Sequence, residues 1–156
     1  IIVVDDPQGV TGGGAVAADA SYELKELADK IDAPVCDTLM GKGAFSGIDP
    51  HYTGMLGMHG TKTSNFGVSR CDVLITVGAR FSDRVYGNAK NFAPNAKIIH
   101  IDIDEKEIGK NVRADEYIIG DAKEILSRLN KLLVKTTHKE WCDEIAEMTK
   151  KFPLYE

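Results

Sequence analysis

A doubly wound α/β fold, with a parallel sheet covered by helices on both faces, is what this sequence predicts. Three observations lead to it. Short apolar, β-branched runs alternate with longer stretches of helical period. The clearest run, VLITV at 73–77, is apolar throughout and ends at Gly78, as a strand buried on both faces should be. Several runs end in glycine-bearing loops, which right-handed crossovers bring to one edge of a parallel sheet. At 156 residues, the chain fits a single domain with one sizeable core.

Residues 1–4 read as a strand, broken by Asp5, Asp6 and Pro7, because proline restricts its neighbour and donates nothing to a ladder. A helix is expected over 20–31. Leu24, Leu27, Ala28 and Ile31 form its apolar stripe, and Glu23, Lys25, Glu26, Asp29 and Lys30 its solvated face. Residues 34–36 read as a second short strand, and 45–53, lacking any period, as a loop. Thr61 is suited to cap a helix running to about Arg70 that carries Phe66 inward. Pro94 and Asn95 mark a turn, and 97–104 reads as a buried strand ending in acids. Residues 117–119 form another strand. Asp121 with Glu124 then fits a capping box for a helix burying Ile125, Leu126, Leu129, Leu132 and Leu133. A last helix begins near Lys139, with Trp141, Ile145, Met148 and Phe152 as its stripe. The segment 137–156 either closes this domain or leads into another.

The composition, 43% hydrophobic and 28% charged, is that of an ordinary soluble globular protein. A formal charge of −5 argues against a nucleic-acid surface or an anionic membrane as partner. No apolar run approaches the ~18 residues of a membrane span, and no signal peptide is expected before the two acids at 5 and 6. Cys36, Cys71 and Cys142 show neither a zinc pattern nor a disulfide framework and fit a reducing cytoplasm. Starting at Ile1 instead of methionine, the chain reads as a piece of a longer protein.

Candidate ligand groups follow the strands. Gly78 allows close approach to the backbone, and Arg80, Asp83 and Arg84 come directly after it. Two arginines at a strand's carboxyl end suit phosphate or carboxylate; the alternative is a surface loop with a local ion pair. Gly12, Gly13 and Gly14 read as a nucleotide-binding turn or as a flexible surface turn. Lys42, in the loop after residue 36, either touches phosphate or is solvated. Gly54, Gly57 and Gly60, with Met55, Leu56, Met58 and His59 between them, suit a chain pressed against something flat. His59 is either a cofactor donor or a structural histidine. Asp102 follows Gly78 at about the ~20-residue spacing at which an acid holds ribose hydroxyls, and Asp104 with Glu107 fits a helix cap. These groups and Gly120-Asp121 converge on one edge, as for a long phosphate-bearing ligand such as a dinucleotide.

The strings MLGMHG at 55–60 and GARFSDRV at 78–85, with GGG at 12–14, TLMGKG at 38–43, HIDID at 100–104 and GDA at 120–122, resemble the central domain of the acetolactate synthase (acetohydroxyacid synthase) catalytic-subunit family. The resemblance implies a Rossmann-like, six-stranded parallel sheet with FAD extended across its strand ends. It implies that Gly12, Gly13, Gly14 and Arg80 lie along the pyrophosphate and its linker. Thr38, Leu39, Met40, Leu56, Gly57, Met58 and His59 would line the ribityl and ring side. Asp83, Arg84 and Val85 would border the flavin, with Arg84 also facing the substrate channel, and Gly78 and Ala79 would belong to the same cofactor site. Asp102 and Ile103 would hold the adenosine ribose, and Gly120, Asp121 and Ala122 the adenine.

By the same resemblance, the whole enzyme decarboxylates pyruvate on thiamine diphosphate. It adds the two-carbon unit to pyruvate or 2-ketobutyrate, in branched-chain amino-acid biosynthesis. Thiamine diphosphate and Mg²⁺ belong to flanking domains, so no catalytic or metal residue is expected here and the isolated chain is expected to be inactive. The full subunit would form a homodimer or tetramer, with or without a regulatory subunit. The alternatives are the middle domain of a related enzyme with a redox-active flavin, such as pyruvate oxidase, and a scaffold domain that binds no nucleotide.

Overall fold

A computed structural model describes residues 1–5, 15, 18–87 and 91–153. Six strands, β1 (Ile2–Val4), β2 (Val35–Asp37), β3 (Tyr52–Met55), β4 (Val73–Val77), β5 (Lys97–Asp102) and β6 (Glu116–Ile119), form one sheet in the order β3-β2-β1-β4-β5-β6. Every pairing is parallel. The chain therefore starts at the centre, winds outward to β3, returns across β1 to β4, and winds outward again to β6. This is the doubly wound arrangement expected, with its switch point between β1 and β4.

Two apolar layers hold the sheet. On one face Ile2, Val4, Val35, Val77 and Ile101 pack with Leu24, Leu27 and Ala28 of α1 (Ser21–Ile31) and Ile125 and Leu126 of α4 (Ala122–Leu132). On the other, Val3, Cys36, Leu74 and Ile98 pack with Val68 of α2 (Lys62–Arg70) and with Phe81, Phe92 and Val112. A short helix α3 (Asp83–Tyr86) follows β4, and α5 (Lys139–Lys151) packs beside α2. The three cysteines are free thiols.

Capping follows the sequence closely. Thr61 Oγ1 accepts the Ser64 N–H at 3.0 Å, and Asp121 Oδ1 accepts that of Glu124 at 3.0 Å. Asp104 Oδ1 accepts the Lys106 N–H at 3.0 Å and caps a 3₁₀ turn, Glu105–Glu107. The Glu107 carboxylate pairs with Lys110 at 3.1 Å, so only half of a capping box forms.

Several expectations need correction. Residues 52–55 are an edge strand, not part of a loop. A register shift opposite Val35 and Cys36, with Gly54 at φ +103°, breaks the two-residue period that would have revealed it. β5 stops at Asp102, because the Asp102 carboxylate accepts the Asp104 N–H at 2.9 Å and turns the chain. The inward face of α2 is Thr63, Ser64, Gly67 and Val68. Phe66 lies at its flank, with the Arg70 guanidinium 5.1 Å from its ring centre. The α4 stripe outruns the sheet: Leu132 is exposed and Leu133 lies partly open beyond the helix, whereas Asn130 is buried and donates to the Glu23 carbonyl at 3.0 Å.

Asp32 ties the end of α1 to the start of α5 and to the segment before β3. It ends α1 in the left-handed region, at φ +47°, and its carboxylate accepts the His138 N–H at 2.8 Å and meets His51 Nε2 at 3.3 Å. The His138 N–H, first among several causes, holds this carboxyl below the ordinary carboxylate range. A depressed folded-state pKa means that the unfolded chain takes up the proton more readily. The stabilisation is therefore complete above about pH 4 and lost as pH falls through the folded-state value. Asp32→Asn should cost about 1 kcal/mol or less at pH 7, the site being partly solvated, and progressively less as pH falls below about 4. Urea melts across a pH series check this; a difference that does not shrink toward acid contradicts it.

Candidate functional site

The carboxyl ends of β1 to β4 surround a cleft of about 530 Å³. Asp5 follows β1, Thr38, Leu39 and Met40 follow β2, Met55, Leu56, Met58 and His59 come from the end of β3 and beyond, and Arg80, Ser82, Arg84 and Val85 follow β4. It therefore opens at the switch point, where open α/β sheets bind ligands. Leu39, Met40, Met58 and His59 are exposed and give one wall a largely apolar rim. Arg80 and Arg84 supply cationic groups on the β4 side.

Backbone contacts fix the loops that carry these side chains. Thr38 donates its hydroxyl to the Asp5 carboxylate and its N–H to the Val4 carbonyl at 2.9 Å, and its hydroxyl accepts the Gly41 N–H at 3.2 Å. The Met58 N–H bonds the Arg84 carbonyl at 2.9 Å. Asn65 clamps Gly57 from both sides, accepting its N–H at 3.2 Å and donating to its carbonyl at 3.0 Å. Asn111 donates to the Arg80 carbonyl at 2.9 Å.

The glycines read as pressing on something flat press largely on the chain itself. A Cβ at Gly57 would lie 2.7 Å from the Arg84 carbonyl oxygen, and one at Gly60 would lie 2.4 Å from that of Met55. Lys42 is half exposed, as a solvated lysine would be, but it also has partners within the fold. Its amine reaches Asp37 Oδ1 and the Tyr52 hydroxyl, each at 3.3 Å, and that hydroxyl donates to Asp37 Oδ2 at 2.8 Å. Burial, with Asp37 beside it, raises the Tyr52 pKa above its ordinary value. This trio anchors the loop from beneath.

Beyond the cleft the edge continues across β5 and β6. The Gly78 N–H bonds the Ile101 carbonyl at 2.8 Å and the Gly120 N–H that of Asp102 at 2.9 Å, so the three strand ends stand side by side. Gly78 and Ala79 are buried at the root of the β4 loop, and Asp83 is exposed in the first turn of α3. Ile103 is exposed; Asp121 spends one carboxylate oxygen on its cap, and Ala122 is buried under α4. Gly12, Gly13 and Gly14 lie outside the described residues.

Two buried polar atoms on this edge have no hydrogen-bond partner among the described residues: Arg80 Nε and Asp102 Oδ2. Leaving such groups unpaired is costly, so each marks a place where a ligand can contribute. Between them Phe81 is buried with φ +52°, a strained backbone for an aromatic residue. Its ring meets Phe92 edge-on at 5.4 Å and His100 at 5.7 Å. Asn65, Asn111 and His100 were not singled out as site residues. Their roles arise from contacts across the fold; in the sequence, His100 opens the HIDID string and Asn65 is an asparagine inside a helix.

Comparison with known proteins gives a consistent result. The family described as thiamine pyrophosphate enzyme, central domain, matches residues 5–129. The chain is 54% identical over 144 residues to a probable acetolactate synthase large subunit of Methanocaldococcus jannaschii, covering 90% of this chain and 24% of that protein. It is 48% identical over 150 residues to the acetolactate synthase large subunit of Cyanidium caldarium, covering 92% and 26%. With that of Buchnera aphidicola it shares 43% identity over 143 residues, covering 89% and 25%. The chain thus spans about a quarter of the length of these curated relatives.

The tightest demand at the site falls on Gly41. A Cβ there would lie 2.2 Å from the Val4 carbonyl oxygen and 2.9 Å from Asp5 Cα, both backbone of the central strand. At Gly47 the nearest atom would be 3.9 Å away. Gly41→Ala should therefore destabilise the chain by about 1–3 kcal/mol, and Gly47→Ala should be nearly neutral. Thermal melts of the two variants decide it; equal shifts would show that the close approach does not matter.

Proposed function

The chain belongs to the thiamine pyrophosphate enzyme central-domain family, and from that premise we propose that it is the FAD-binding central domain of an acetolactate synthase large subunit. One observation carries the cofactor reading. A buried guanidinium nitrogen and a buried carboxylate oxygen, both unpartnered among the described residues, lie at neighbouring strand ends beside an apolar cleft. The cleft suits a flat ring, the guanidinium an anionic pyrophosphate and the carboxylate a ribose diol.

Leu39, Met40, Met58 and Val85 would flank the ring, and Thr38, Leu56, Gly57 and His59 would border the ribityl side. Arg80 would face the pyrophosphate beside Gly78 and Ala79, together with Gly12, Gly13 and Gly14. Asp102 and Ile103 would hold the ribose, and Gly120, Asp121 and Ala122 would lie at the adenine. Asp83 and Arg84 would lie toward the substrate channel. When bound, FAD supplies a rigid plane and an anionic spine that fill and shape this edge, instead of carrying electrons.

Condensation of two 2-keto acids, with its thiamine diphosphate and Mg²⁺, is assigned to the remainder of the longer protein, in the cytoplasm. The relatives' name, acetolactate synthase, supports the condensation, and the thiamine pyrophosphate family supports the cofactor. Their designation as large subunits further supports assembly with a smaller partner chain. Among the described residues no helix is long and apolar enough to cross a membrane.

FAD titration of the full-length subunit tests the assignment. Asp102→Ala should weaken FAD binding roughly ten- to a hundredfold, the value of one charge-assisted hydrogen bond. Asp104→Ala should leave affinity nearly intact while costing about 1 kcal/mol of stability through its lost cap. Equal losses of affinity would remove Asp102 from the site. The arginines separate in the same way. Arg80→Ala should raise the FAD dissociation constant, most at low salt, because the contact it removes is itself screened as ionic strength rises. Arg84→Ala should bind FAD nearly normally but change pyruvate kinetics at saturating FAD. The opposite pattern reverses the direction in which the ligand lies.

A further inference from the structure

His100 is only 1% exposed, yet neither of its ring nitrogens has a hydrogen-bond partner among the described residues. The fold gives no reason for a polar ring here. Ile98, two residues earlier on the same face of β5, does the packing job with an aliphatic side chain, and burying two unpaired nitrogens costs stability that a leucine would not. What the ring does have is a position. Its Nε2 lies 3.8 Å from Asp102 Oδ2, the other buried atom without a partner on this strand. Asp102 Oδ1 is already held by the Asp104 N–H at 2.9 Å. On its other side the imidazole is held edge-on by Phe81, whose strained backbone belongs to the loop carrying Arg80 and Arg84.

We propose that His100 is a positioning residue for the nucleotide site, orienting the Asp102 carboxylate toward the ribose diol and coupling that orientation to the arginine loop through Phe81. The proposal rests on the reading of this edge as an FAD site. A carboxylate only accepts, so Nε2, the ring nitrogen facing it, is the one that donates, toward an inward lone pair of Oδ2. With Asp104 N–H on Oδ1 and His100 on Oδ2, the carboxylate plane is fixed and its remaining lone pairs are left for two ribose hydroxyls. The 3.8 Å separation is just beyond hydrogen-bond range, and closing it requires the carboxylate to turn toward the ring as the ribose binds. The contact then forms fully only with ligand present.

The test is FAD titration by flavin fluorescence in the full-length subunit, with His100→Leu, His100→Gln, Asp102→Ala and the His100→Leu/Asp102→Ala double variant. His100→Leu should weaken FAD binding roughly tenfold while its melting temperature without ligand stays at or above the wild-type value. His100→Gln, whose amide reaches the Nε2 position, should recover most of that affinity. In the Asp102→Ala background, His100→Leu should have less than about a twofold further effect, because a residue acting through another has nothing left to act on. Wild-type affinity in His100→Leu overturns the proposal. So does a loss that is equal in both backgrounds or that glutamine does not rescue, since either indicates general damage to the core. A wild-type subunit that fails to bind FAD overturns the FAD reading itself, and is distinguished from these outcomes by the first titration.

Discussion

The short strand β1 pairs with β2 on one side and β4 on the other, and the Asp5 N–H carries the ladder one step further onto the Val77 carbonyl at 3.1 Å. Ile2, Val3 and Val4 are wholly buried, each stabilising the fold by about 1.5–3 kcal/mol relative to an exposed side chain. The last carbonyl of this strand receives the Thr38 N–H and lies where a side chain at Gly41 would have to go. One strand end therefore supports the β2 loop directly, while its ladder aligns β4 and the arginine loop. Because the sheet reverses its winding direction between β1 and β4, the two loops diverge there and leave the cleft between them.

Backbone and side chains play different parts along this edge. Asn65, Asn111 and the Met58–Arg84 bond tie loop to loop through the main chain, so the scaffold is set before any ligand arrives. The apolar side chains at the rim, Leu39, Met40 and Met58, stay exposed and adaptable. Rigid support beneath adaptable contacts lowers the ordering cost of binding a long ligand. The features that oppose stability, an unpaired Arg80 Nε, an unpaired Asp102 Oδ2 and the left-handed backbone of Phe81, gather in the same place. That is the distribution expected where stability has been traded for a binding surface.

Elements with a strong local signature were legible. The VLITV strand, the α1 stripe and the caps at Thr61 and Asp121 form as read, because period and capping chemistry act over a few residues. β3 was missed because its bulge and Gly54 erase the two-residue period, and because an edge strand owes its existence to its neighbour. Leu132 and Leu133 fit a helical stripe, but a stripe does not say where the sheet beneath it ends. That glycine is needed at 57 and 60 for a close approach was legible, but not that the chain's own Arg84 and Met55 carbonyls stand there.

The sequence by itself determined the parallel, doubly wound class and the chemistry available at each strand end: two arginines after β4, an acid at the end of β5, apolar residues after β2 and β3. These follow from residue type and local period, which need no knowledge of distant partners. Only the tertiary structure decided which of those groups remain free. It committed Lys42 to Asp37 and Tyr52, turned Gly57 and Gly60 toward the main chain, and left Arg80 Nε and Asp102 Oδ2 unpaired beside His100. Whether a polar group is satisfied depends on atoms brought near it by the crossovers of the whole chain, and a linear pattern carries no record of them.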